Sequence, residues 1–148
     1  MIGELLKAIK SRWDVKDLVS TFTGGLHEGQ LPPVASTPVM PIVSLDIIGA
    51  SPSGRSTSTT ANKIQQYETA TVDFLIRARG GLSSCSTLVE SLKAAYSNMH
   101  ATLGSGVSLK RFFWQGESYQ QDPDHPNVWE WTVTYEAELE QAQTAVNV

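Results

Sequence analysis

Side chains able to do chemistry are few and scattered in this 148-residue chain. Of its three histidines, only His125 has neighbours of metal-ligand type, in the Asp-Pro-Asp-His-Pro run at 122–126. Carboxylate and imidazole groups at that spacing can hold a cation, but two prolines in five residues favour a rigid turn. The one cysteine, Cys85, falls on the expected inner stripe of a helix and is predicted to pack as a small hydrophobe. We therefore predict no catalytic residue, no metal, no cofactor and no enzyme activity.

Acidic and aromatic side chains near the C-terminus form the more informative pattern. Glu130, Glu136, Glu138 and Glu140 share one strand face with threonines, which favours a wet surface over a pocket that raises a carboxyl pKa. Phe112, Phe113 and Trp114 are consecutive, and adjacent strand residues point to opposite faces. One side of this triplet is therefore aromatic on the surface unless something covers it, which is a modest interface signal.

Charge is unevenly distributed along the chain. Residues 1–111 carry all 11 Lys and Arg against 8 acids, whereas residues 112–148 carry 7 acids and no base. This asymmetry argues against a broad nucleic-acid grip, which needs clustered bases. It is compatible with an acidic surface that repels nucleic acid, with complementary faces that meet in an oligomer, or with a solvated strand face. The lone cysteine suits a cytoplasmic product, and we expect neither a membrane span nor a signal segment.

The first half of the chain predicts one helix and two strands. Apolar residues from Ile2 to Trp13 recur at helical spacing, so we expect a helical N-terminal segment over 1–20, followed by a Gly- and Pro-rich connector over 23–41. A strand is predicted over 42–49. The Ser- and Thr-rich segment 50–66, which contains Arg55, is predicted to be a flexible hairpin loop. A long alternating strand follows over 67–79.

The second half predicts a helix and another hairpin. A helix is expected from Ser83 or Ser84 to about His100, then strands over 107–117 and 127–140, and a fraying tail over 141–148. The order α-β-β-α-β-β predicts a single α+β domain over 1–148. Its expected architecture is a four-stranded, mainly antiparallel sheet with the helices packed on one face and a long extended hairpin.

These elements together resemble the tail terminator (tail completion) proteins of long-tailed bacteriophages, and more loosely the head–tail joining proteins of the neck. The resemblance lies in the N-terminal helix, the proline connector, the long hairpin, Tyr67-Glu68-Thr69-Ala70-Thr71-Val72-Asp73-Phe74 before a helix, and the closing Trp129-Glu130-Trp131-Thr132-Val133-Thr134-Tyr135. It covers nearly the whole chain as element order and texture, without a diagnostic short motif.

The resemblance implies a structural virion protein that assembles with itself into a ring, expected to be a hexamer. Such a ring would end the tail tube, meet the neck connector or stopper protein, and leave a channel through which DNA passes without specific binding. We expect assembly in the cytoplasm of a host bacterium. The expected subunit or partner contacts are Arg55, Arg77, Arg79, Phe112, Trp114, Glu136 and Glu138, with Arg77 and Arg79 pairing to Glu136 or Glu138, and the expected channel-facing acids are Glu130 and Glu140.

Two other interpretations stay open at this point. Within the same class, the chain can be a head-completion or stopper protein of the neck. From a different class, it can be a small-ligand or metal-binding α+β domain that uses the open face of its sheet and the turn at 122–125.

Overall fold

Two amphipathic helices form where the apolar spacing predicts them. The computed structural model describes residues 1–37, 39–58 and 63–144, with the side chains of 53–58, 63–65 and 142–144 excepted. Helix α1 (Ile2–Val15) buries Leu5, Ile9 and Trp13, and a short 3₁₀ turn follows it. Helix α2 (Leu82–Ala95) begins directly after Gly80 and Gly81 and ends five residues earlier than expected. Among the described residues, no helix is long and apolar enough to span a membrane.

Six strands form one mixed sheet. They are β1 (Leu26–Glu28), β2 (Ile42–Ser58), β3 (Lys63–Arg79), β4 (Ala101–Thr102), β5 (Val107–Gln121) and β6 (Val128–Thr144), in the spatial order β1-β2-β3-β6-β5-β4. The pair β1–β2 is parallel, and every other pair is antiparallel.

The expected α+β fold with a four-stranded sheet and helices on one face is wrong. The chain is mostly β, and its six-stranded mixed sheet forms a half-barrel accompanied by two helices. The two extra strands are short: three connector residues pair with Val43–Leu45, and Ala101–Thr102 pair with Ser108 and Leu109. Strands of two or three residues have no detectable apolar alternation, so their pairing depends on tertiary contacts rather than on local pattern.

The hairpin of β2 and β3 is longer than the sequence suggests. Residues 50–58 and 63–66 continue the two strands, so only residues 59–62, which lie outside the described part, separate them. Pairing runs from Ile42 opposite Arg77 to Ser58 opposite Lys63, with irregularities near Ile48 and Ser53. Likewise, residues 141–144 of the expected tail extend β6, and residues 145–148 lie outside the described part. Backbone pairing with β3 holds residues 50–58 and 141–144 in an extended conformation.

The core lies on the side of the sheet that receives the helices' buried stripes, which we call the core face. Alternate residues of β3 and β6, such as Phe74 opposite Val133, point to it, as the sequence alternation predicts. The two helices are joined to each other by polar contacts as well: the Tyr96 hydroxyl donates to the Ile9 carbonyl (2.8 Å) and Arg12 Nε donates to the Ala95 carbonyl (2.8 Å). The opposite side of the sheet is called the outer face below.

Candidate functional site

The outer face carries the glutamates of β6, and each faces a polar partner on a neighbouring strand. The pairs are Glu130 with Arg77 (3.1 Å), Glu136 with the amide of Gln115 (2.9 Å), Glu138 with Arg111 (3.5 Å) and Glu140 with Lys110 (3.6 Å). Three of the four carboxylates are thus matched by a base of the same chain. In the folded chain, the acidic C-terminal segment thus lies beside bases of adjacent strands, and these pairs form a ladder along β6.

Arg77 occupies the buried end of this ladder. Its Nε and Nη2 both donate to Glu130 Oε1, while Nη1 donates to the Thr37 hydroxyl (2.8 Å) and to the Pro32 carbonyl. The residue is 6% exposed, because the connector segment over 29–37 crosses the outer face above it. Arg77 therefore pairs with Glu130 of its own chain, and neither Glu136 nor Glu138 contacts it in the described structure.

Arg79 and Arg55 take different positions. Arg79, the last residue of β3, is exposed and makes no hydrogen bond or ion pair with the described residues. Arg55 lies in β2 opposite Gln66, and its side chain is outside the described part. Arg79 thus has no partner among the described residues, and its expected contact with Glu136 or Glu138 remains a prediction.

The aromatic triplet of β5 divides between the two faces. Phe112 is buried and stacks on Tyr135, with ring centroids 4.7 Å apart and planes within 5°. Phe113 lies on the outer face beneath Arg111, whose guanidinium carbon is 4.6 Å from its ring centroid. Trp114 lies on the core face at the edge of the sheet and remains 47% exposed. Of the triplet, Trp114 is the member that presents aromatic surface.

Trp114 borders a cavity of about 390 Å³ between α2 and β5. Lys93 Nζ lies 4.4 Å from its ring centroid and pairs with Glu90 (3.2 Å) and Glu117 (3.4 Å). Desolvation lowers the pKa of Lys93, but the two carboxylates together outweigh it and raise that pKa above its usual value. Lys93 is thus held as a cation over the indole, which favours the pair further.

A second exposed aromatic group lies near the other end of β5, and sequence reasoning missed it. Tyr119 is 55% exposed and stacks on Trp131 (4.4 Å between centroids), with Trp129 beside both rings. The strand has irregularities after Leu109 and after Trp114, and these bring Trp114, Glu117 and Tyr119 onto the core face together. Strict alternation would have placed Trp114 on the face opposite Glu117 and Tyr119, so the sequence pattern did not bring the three residues together.

Strands β2 and β5 are each covered along one edge over only two or three residues. Among the described strands, β1 covers β2 only at Val43–Leu45, and β4 covers β5 only at Ser108 and Leu109. The outer side of β2 beyond Leu45 and of β5 beyond Leu109 is therefore an open sheet edge. Open edges present unsatisfied backbone donors and acceptors to any strand that approaches.

The turn and the cysteine singled out in the sequence have structural explanations. Asp122 Oδ1 accepts hydrogen bonds from the backbone amides of Asp124 and His125 and lies 3.0 Å from His125 Nδ1. The bond from His125 lowers the pKa of Asp122, as do the two amide bonds.

Burial raises the pKa of Cys85 although a bond with Ser84 opposes it, so its thiol stays protonated in the core. Within the described residues, no group of three or more His, Cys, Asp or Glu is placed to hold a metal.

The fold of this chain is similar to that of a protein of known structure. No family model matches the chain, and no curated protein sequence matches it. Among solved structures, it is similar to a chain of the virion of a native gene transfer agent particle, at 12% sequence identity and a TM-score of 0.66. The similarity covers 94% of this chain and 96% of that one, so the whole mostly-β fold is common to both.

Proposed function

We propose that this chain is a structural protein of a phage-like virion, and specifically the subunit of a ring that ends the tail tube and joins it to the neck. The observation that carries the proposal is the fold, which matches a gene transfer agent virion chain end to end. A shared fold by itself does not define function, so the surface features of the chain supply the remaining support.

Self-assembly is supported by the open edges of β2 and β5 and by the exposed Trp114 and Tyr119 on the core-face side of β5. Edges at opposite ends of one sheet are different surfaces, so a contact between them is heterologous and closes into a ring when the rotation permits. Aromatic residues are enriched at protein interfaces, which favours β5 as one side of this contact. A hexamer is our proposed closure.

Passage of DNA without binding is supported by the charge of the outer face. On the described part of that face, Glu138 and Glu140 are matched by Arg111 and Lys110, while Glu136 meets only a neutral amide. A surface without net positive charge releases no counterions from phosphate and gains little from DNA. We propose that this face, with Glu140 and Glu130 at its ends, lines the channel.

The test is the mass of the assembly by native mass spectrometry and light scattering, alone and with the tail tube protein. We expect a species near six times 16.1 kDa. Trp114→Ala and Arg79→Glu should shift it toward the monomer, since each alters an exposed side chain proposed to lie in the subunit contact. Val15→Ala and Lys16→Glu are matched controls, because they change an exposed apolar and an exposed basic residue at the end of α1.

The outcomes separate the alternatives. A chain that stays monomeric with tail tube protein but binds the head connector is a stopper of the neck rather than a tail terminator. A chain that stays monomeric with both, at any concentration, contradicts the proposal. If the control and test variants had equal effects, ring formation would stand, but β5 and Arg79 would not lie in the subunit contact.

A further inference from the structure

We propose that residues 30–37 form a strap that opens as a unit from the outer face while the sheet beneath it stays intact. The last backbone bond to a strand before the strap runs from the Gly29 amide to the Leu45 carbonyl (3.0 Å). Within the strap, the amides of Ser36 and Thr37 donate to carbonyls of the same segment (2.8 and 3.1 Å). In the described structure, no backbone hydrogen bond joins residues 30–37 to the sheet.

Arg77 supplies the polar ties between the strap and the sheet in the described part of the chain. Its Nη1 donates to the Thr37 hydroxyl (2.8 Å) and to the Pro32 carbonyl, while Nε and Nη2 stay on Glu130 of β6. When the strap opens, water replaces the two strap acceptors and the pair with Glu130 is kept. Separating two strands breaks a whole row of backbone hydrogen bonds, so opening the strap requires less free energy than opening the sheet.

Leu31 supplies the apolar part of the attachment, and it lies outside the main hydrophobic core. It is 6% exposed, yet it is not a member of the core cluster that the helices and strands form among the described residues. Small apolar clusters under a loop are separate from the core of a domain, so they open without it. Apart from Leu31, Val34 and Thr37, the strap from Leu31 onward is exposed. Few buried contacts of this kind characterise a locally opening unit.

Opening of the strap changes access to the outer face. A cavity of about 390 Å³ lies where Gln30 of the strap approaches sheet residues that include Leu75 and Thr132. Leu75 is the apolar member of the otherwise polar outer-face row over 69–79, and it is partly buried with the strap in place. An open strap exposes Leu75 and the guanidinium of Arg77 together. The strap is therefore a conformational device that controls the exposure of an apolar side chain and a buried base.

Hydrogen exchange of the full chain, detected by mass spectrometry, tests this device. The peptide covering 30–37 should exchange through a local opening that low concentrations of urea leave unchanged, whereas peptides of β3 and β6 should exchange faster as urea is added. Thr37→Val removes the hydroxyl that Arg77 holds, and it should raise exchange of the strap about fivefold, as expected for the loss of one hydrogen bond. Leu31→Ala should raise it about tenfold or more, because buried apolar surface is lost.

Thr134→Val is the matched control, because it removes a hydroxyl that donates to Asp73 within the sheet (2.7 Å). The open-strap state keeps that bond, so the control should speed exchange of β3 and β6 and leave the strap unchanged within about twofold. Equal acceleration of the strap by Thr134→Val and Thr37→Val would overturn the inference, since the strap would then open only with the whole sheet.

Two results in the unmodified chain would also overturn the inference. One is urea dependence of the strap equal to that of β3, which would indicate a single cooperative unit. The other is exchange of the strap at the rate of an unstructured peptide, which would show that Arg77 and Leu31 do not hold it closed. If Thr37→Val fails to fold, Leu31→Ala is compared with the control in the same way. None of these outcomes depends on ring assembly.

Discussion

The Arg77–Glu130 pair is expected to be the most costly ion pair of the described chain to break. Its side chains are 7% and 19% exposed, and Arg77 also holds Thr37 and the carbonyl of Pro32. Removing one partner of a buried pair costs about 3–5 kcal/mol, because the other charge is left without compensation. Glu130 keeps some access to water, so we expect Arg77→Met to lower the free energy of unfolding by about 3 kcal/mol.

Urea denaturation followed by tryptophan fluorescence measures this loss. With an m value of about 1.5 kcal/mol/M, a loss of about 3 kcal/mol lowers the midpoint by about 2 M. Arg111→Met is the matched control, since Arg111 pairs with Glu138 across neighbouring strands but is 62% exposed. An exposed pair contributes about 0–1 kcal/mol, so the control should shift the midpoint by less than about 0.7 M.

The double variant Arg77→Met/Glu130→Leu separates the ion pair from simple packing. Replacing both charges of a buried pair by apolar side chains is often close to neutral, so the double variant should be more stable than Arg77→Met by about 1–2 kcal/mol. Equal losses in Arg77→Met and Arg111→Met would refute the reasoning, because burial would then make no difference. A double variant no more stable than Arg77→Met would locate the cost in the connector contacts instead.

Three further predictions concern the core and the connector. Burial raises the pKa of both Tyr96 and Tyr135, so their contribution to stability is complete below pH ~10 and is lost as pH rises above it. Above pH ~10, each tyrosine should lower the free energy of unfolding by up to about 1.4 kcal/mol per pH unit. Unfolding midpoints that stay constant from about pH 9 to about 11.5 would contradict this. Tyr96→Phe loses the bond to the Ile9 carbonyl and should cost about 1 kcal/mol at pH 8 while reducing the alkaline slope, as urea titrations at both pH values would reveal. Gly24→Ala places a Cβ 2.7 Å from Ile42 Cβ and equally close to a backbone carbonyl, so thermal unfolding should report a loss of about 1–3 kcal/mol. An unchanged melting temperature would mean that the connector shifts to accommodate the added Cβ.

Sequence periodicity predicted the elements that bury a continuous apolar stripe. Leu5, Ile9 and Trp13 predicted α1, and the alternation over 129–140 predicted that the glutamates of β6 share one face of the sheet. The apolar pattern of each segment determines its orientation, since only one orientation buries all of its apolar side chains. The number of strands in the sheet was nevertheless predicted wrongly, because it depends on pairing partners rather than on the pattern of any one segment.

The errors concern segments whose structure is imposed by neighbours. Residues 50–58 are rich in Ser and carry no apolar alternation, yet all of them except Ser53 pair with β3. In β5, the irregularities near Lys110 and Gln115 change which residues share a face, and no feature of the sequence marks them.

Pairing within the chain also changes which forces can drive self-association. The sequence suggested that the acidic C-terminal segment meets a basic segment of another subunit, but Glu130, Glu138 and Glu140 already have bases of their own chain. Exchanging the partners of Glu138 and Glu140 between subunits would replace one exposed ion pair by another, and each contributes at most about 1 kcal/mol. Exchanging the partner of Glu130 would first break a buried pair, which costs more. Burial of aromatic surface such as Trp114 contributes about 25 cal/mol per Å², and an added strand gains a row of backbone hydrogen bonds. Association of this chain should therefore depend on its sheet edges and edge aromatics and respond weakly to salt.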